Sequence, residues 1–156
     1  MPSPLPIVSQ FTPYTCAQAC LESFLQQLGI RATQADMLTH HRRLCFNPPP
    51  DYHTFGAIDP QRFAVLAQQY LLGVADFPSR DTADITAQLD NPREMLTAIC
   101  GQFRGQQVTH AIRLSHLDGN TLHFMCPGFP IGSLDSAPFA DFRDIWQPTI
   151  IRVFAQ

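Results

Sequence analysis

Gln10 to Leu28 reads QFTPYTCAQACLESFLQQL, and the fold turns on whether Cys16 inside it is a packing residue or a nucleophile. Cys16, Cys20, Phe24 and Leu28 recur at four-residue intervals, widened by Leu21 and Leu25. That stripe predicts an amphipathic helix from about Thr15 to Leu28, stopped by Gly29. A cysteine at a helix start stands among unsatisfied N–H groups and about half a positive charge, which favour the reactive thiolate. Gln10 precedes a turn, TPYT, that would bring its amide back beside the sulfur. A neutral amide donates to a developing oxyanion without competing as a base.

Outward from this stretch, Thr33 caps a second helix to about Leu44, with Asp36 completing a capping box. CFNPPPDYHTFG (45–56) excludes helix by its prolines and reads as a stiff surface connection, or as one wall of a peptide groove. Asp59-Pro60 opens a third helix through Tyr70, LLGVADF suggests a short strand, and Asn91-Pro92 caps a helix to about Cys100. The second half turns to strand. QQVTHAIRLSHLDGNTLHFMCP reads as a hairpin, a loop with Pro130, Gly132 and Pro138 follows, FADFRDIW is a helical turn, and TIIRVFA closes as a strand. Helices first and antiparallel strands later make the fold class α+β, in one domain over residues 1–156.

The hairpin register carries information. Val108, His110, Ile112 and Leu114 share one face of the first strand, and Leu122, Phe124 and Cys126 share one face of the second. A three-residue loop, Leu117-Asp118-Gly119, would pair Leu114 with Leu122, Ile112 with Phe124 and His110 with Cys126. An imidazole then points inward among aliphatic residues, where it needs a partner or a task. If that strand packs across the helix start, His110 reaches Cys16 and takes its proton.

Composition excludes several functions. A net charge of −3 with interspersed signs lacks the basic face that nucleic acid requires. The longest apolar runs are a few residues, too short to span a bilayer. MPSPLPIVSQ lacks the basic and apolar regions of a secretion signal, so the expectation is a cytoplasmic protein, or one delivered into a target cell without a cleaved signal. Five cysteines (16, 20, 45, 100 and 126) are odd in number and widely spread, which is no disulfide framework. Cys16, Cys20, His40, His41 and Cys45 fit no zinc-ligand spacing, and a Cys-x3-Cys on one helix face is as easily packing; no metal or cofactor is expected. His53, His116 and His123 read as loop or solvent-face positions.

Gln10, Cys16 at a helix start and a distant strand-borne His110 together resemble the papain-like cysteine peptidases. The nearer resemblance is to the compact bacterial branch that includes the double-glycine, bacteriocin-processing peptidases. There a His strand, a turn, a second strand and an Asp-Pro follow in that order, and THAIRLSHLDGNTLHFMCPGFP and APFADF are similar to that stretch. The likeness covers the first helix and roughly the last fifty residues. It implies a Cys-bearing N-terminal helix packed on a C-terminal antiparallel sheet. It also implies Cys16 as nucleophile, His110 as base then acid, and Gln10 with the Cys16 N–H as oxyanion donors.

Where the family places an orienting Asp, this chain has Cys126, and a thiol is a weak acceptor. A working dyad, another orienter such as Asp118 or Asp141, and a non-catalytic binding module all stand at this point. The resemblance implies cleavage of a protein or peptide after small residues or glycine pairs. It also admits a bacterial toxin or effector with a cognate immunity or inhibitor protein. A deamidase or peptidoglycan amidase would use the same Cys-His pair, because the acyl-enzyme is common to all.

Overall fold

The stripe in Gln10–Leu28 becomes helix α1 (Cys16–Gln27), with Cys20, Leu21, Phe24 and Leu25 fully buried. Gly29, at φ +78°, takes the left-handed position after the helix. Its N–H donates to Gln26 O and the Ile30 N–H reaches back to Leu25 O, so the last carbonyls are satisfied. Helix α2 (Gln34–His40) carries the expected capping box: Thr33 Oγ1 accepts from Asp36 N at 3.1 Å, and Asp36 Oδ2 accepts from Thr33 N at 3.0 Å. It ends at His40, short of Leu44. The computed structural model describes residues 5–10, 15–41, 44, 60–106, 109–128 and 131–156. The proline-rich segment with its proposed groove wall, Cys45, His53 and Val108 lie outside the described residues.

Helix α3 (Pro60–Gln68), strand β1 (Leu72–Asp76), helix α4 (Thr82–Leu89), strand β2 (Glu94–Cys100), strand β3 (His110–Asp118), strand β4 (Thr121–Cys126), strand β5 (Ser133–Pro138), helix α5 (Phe139–Asp144) and strand β6 (Pro148–Ala155) complete the chain. The six strands form one antiparallel sheet in the order β1-β6-β2-β3-β4-β5. Helices α1 and α3 lie on one face, burying Phe24, Phe63, Met95, Ala111, Met125 and Val153 between them and the sheet. Helices α4 and α5 cover the other, over Leu96, Ile112, Phe124, Phe142, Trp146 and Ile150. Among the described residues, no helix is long and apolar enough to cross a membrane.

Two strands stand where a helix and a loop were expected. Residues 94–100 form strand β2, not a helix. The strand lies between β6 and β3 and is covered on both faces, so MLTAIC is buried at every position, Thr97 included, with none of the alternation that marks a half-exposed strand. The apparent cap is a turn, in which Asn91 Oδ1 accepts from Arg93 N at 3.0 Å. Residues 133–138, read as loop, are edge strand β5, and helix α4, capped by Asp81, went unread.

The hairpin is also shifted. Its loop is the two residues Gly119-Asn120, with Gly119 at φ +59°, the glycine-first turn that matches strand twist. A bulge at Ser115 then moves the inner register to Leu114↔Phe124 and Arg113↔Met125. On that register Cys126 falls opposite Ile112, two residues along the strand from His110 and on the same face. On the other face of β3, Ala111 and Arg113 are 1% and 2% exposed beneath α1. His116 and His123 are part-exposed and pair across β3 and β4 with their rings stacked at 4.3 Å.

Candidate active site

Cys16 occupies the first turn of α1, and α1 crosses the sheet so that its start meets the start of β3. The Ala111 N–H donates to Cys16 Sγ at 3.3 Å. Because an amide nitrogen sits about 2.4 Å from the preceding Cα, the sulfur lies within about 6 Å of the His110 Cα. The helix start and the distant strand therefore converge, across 95 residues of chain.

The ring of His110 is oriented by its surroundings. Its Nε2 lies 3.3 Å from Cys126 Sγ, a diagonal contact across β3 and β4 that replaces the directly opposed pair expected from sequence. Phe103 covers the ring at 4.6 Å between centroids, and Trp146 backs Phe103 at 4.9 Å. From β2, Cys100 pairs with His110 and is fully buried. The aromatic cover was not read from sequence. The sole tryptophan, two residues before the closing strand, was the available signal.

Gln10 is 7% exposed, and its backbone N–H donates to Gly128 O at 3.1 Å, which sets it beside the chain leaving β4. Residues 5–10 run against that exit: the Gly132 N–H donates to Ser9 Oγ at 2.8 Å. A Cβ at Gly132 would stand 2.9 Å from Val8 O, so the approach needs glycine. Gln10 and Cys126 thus share one neighbourhood through Gly128, while Cys126 contacts His110. Asp118 lies at the far end of β3, eight residues from His110 and about 27 Å away along a strand. Neither Asp118 nor Asp141 hydrogen-bonds the ring; Cys126 does.

Electrostatics corrects the expectation of a standing thiolate. Burial pushes the Cys16 thiol above its ordinary value, although the N–H groups of Ala111, Ala17 and Cys16 itself pull the other way. Cys16 keeps some open surface, but the sulfur is packed on most sides, and losing water outweighs what the helix start supplies. Burial lowers His110 to about 4, helped by the nearby Arg104 guanidinium. Cys16 is thus shifted toward its neutral thiol by burial, and His110 toward its neutral imidazole by burial and Arg104. Burial likewise raises Cys126 to about 11 and Cys100 to about 12. The Ala111 N–H on the sulfur, with the N–H groups of the helix start close by, still favours negative charge when it develops, so the arrangement suits an attack in which proton transfer accompanies bond formation.

No family model and no curated protein matches the sequence. Solved structures do match its backbone. The peptidase domain of Streptococcus ComA, a bi-functional ABC transporter involved in a quorum sensing pathway, superposes with a TM-score of 0.70 at 13% identity, covering 98% of this chain and 100% of that one. A double glycine motif protease from an AMS/PCAT transporter, in complex with the leader peptide, gives 0.61 at 12% identity over 99% and 94%. The peptidase domain of Streptococcus mutans ComA gives 0.52 at 11% identity over 96% and 98%. Near-complete coverage in both directions leaves little of either fold unmatched, and this chain has the α+β fold of these peptidase domains.

Proposed function

We propose that the chain is a single cysteine peptidase domain over residues 1–156, cleaving an extended peptide or protein segment after small residues, glycine pairs foremost. Cys16 is the nucleophile. Its sulfur attacks the scissile carbonyl while His110 takes the thiol proton, then returns it to the leaving amine; water hydrolyses the thioester with His110 again as base. The Cys16 N–H and the Gln10 amide receive the oxyanion. The observation that carries this reading is the 3.3 Å hydrogen bond from Ala111 N to Cys16 Sγ, which holds the sulfur against the residue that follows His110. The leader peptide bound by one structural neighbour supports a peptide substrate.

The test is mass spectrometry of cleavage products from a peptide library with Gly-Gly, Gly-Ala, Ala-Ala and Val-Val at the central pair. Preferential cleavage after Gly-Gly, lost in Cys16→Ala and in His110→Ala, is expected. Products that persist in Cys16→Ala would refute the assignment. A mass gain of about one dalton on glutamine side chains, with no chain cleavage, would instead identify a deamidase using the same acyl-enzyme chemistry.

A further inference from the structure

We propose that Cys126 is the positioning residue for His110: its sulfur accepts the Nε2–H, fixing the neutral ring in the tautomer whose lone pair sits on Nδ1. The effect on turnover rests on the peptidase reading above; the contact itself does not. Nε2 and Cys126 Sγ are 3.3 Å apart, a normal separation for a hydrogen bond to sulfur. A sulfur accepts weakly, yet here the alternatives are few. Phe103 occupies one side of the ring and offers no acceptor, and the paired Cys100 lies in the apolar layer beneath.

The charged and titratable groups around the ring are Arg104 from the turn after β2, Cys16 from α1, Cys100 from β2 and Cys126 from β4. The nearby carboxylate, Asp135 on β5, is engaged by Arg104 in an ion pair. Arg104 also lies over the rings of Phe103 and Phe124, which keeps its charge on this side of the sheet. Among the described residues the ring is therefore oriented by a neutral group and faces a cation, with no anion of its own. Cys126 supplies direction without supplying charge, which separates two roles that one carboxylate would combine.

The test combines side-chain 15N NMR of His110 with steady-state kinetics in wild type, Cys126→Ser, Cys126→Ala and Cys126→Asp. Wild type is expected to show the Nε2–H tautomer at neutral pH, and Cys126→Ser to keep it. Cys126→Ala is expected to lose the preference and to lower kcat about tenfold or more with KM little changed. Cys126→Asp adds the missing anion and is expected to raise the His110 midpoint by about one unit or more, carrying the acid limb of kcat with it. A wild-type Nδ1–H tautomer, an unaltered ring in Cys126→Ala, or an unmoved midpoint in Cys126→Asp would overturn the proposal. The wild-type tautomer decides even if a variant fails to fold. If the tautomer and the shift appear but wild type cleaves no peptide, Cys126 keeps its role and the peptidase reading falls.

Discussion

Acidification should unfold this protein partly through one histidine. In the folded chain burial and Arg104 hold His110 near 4, whereas its ordinary value is 6.5. Between those values the unfolded chain binds the proton and the folded chain does not, so stability rises with pH across this window. The contribution is fully present above 6.5 and drains as pH falls toward 4. A displacement of about 2.5 units corresponds to about 3 kcal/mol in full, of which about 2.5 kcal/mol is lost between about pH 7.5 and about pH 4.5. For a chain of this length that is a fall of about 5–10 °C in Tm. The assay is urea denaturation and thermal melting of wild type and His110→Gln at both pH values. Glu22, raised by burial, and Asp36, lowered by its bonds to Thr33, are common to both proteins and cancel in the comparison. His110→Gln should lose about 2.5 kcal/mol less than wild type on acidification. Equal losses in the two proteins would refute a buried, neutral His110.

Other perturbations probe the remaining parts of the site and its support. Alkylation of Cys16 by iodoacetamide in the free protein should climb steadily as pH rises through 9 with no plateau between about 5 and 8, because the resting thiol is neutral; a neutral-pH plateau would mean a standing thiolate. Gly132→Ala forces a Cβ against Val8 O and should cost about 1–3 kcal/mol, with kcat/KM falling further as Gln10 shifts; an unchanged Tm and turnover would refute the close approach. Arg113 donates to Ser23 Oγ at 2.8 Å and Gln27 Oε1 at 2.5 Å and stacks over Phe24, with no carboxylate partner among the described residues. Arg113→Met should therefore be milder, about 1 kcal/mol, than Arg113→Ala, about 3 kcal/mol, in denaturant melts; equal losses in the two variants would refute a role for the side chain's bulk and point to the charge.

Helix α1, its stripe and its glycine stop, and the capping box of α2 could be read along the chain because their determinants lie within four residues of one another. Local patterns mark Cys16 at a helix start, His110 on a strand face and Gln10 before a turn, whereas the roles given to them are what the family resemblance implies. Residues 94–100 misled because burial on both faces erases strand periodicity, and that burial depends on β6, β3, α1 and α4 arriving from elsewhere. The bulge at Ser115 leaves no mark in composition, yet it makes the meeting of His110 with Cys126 diagonal rather than direct. The charge state of the site was decided last of all. A helix dipole is a property of sequence, whereas the loss of water around Cys16 and His110 exists only once the sheet, the helix and the aromatic cover of Phe103 and Trp146 have packed together.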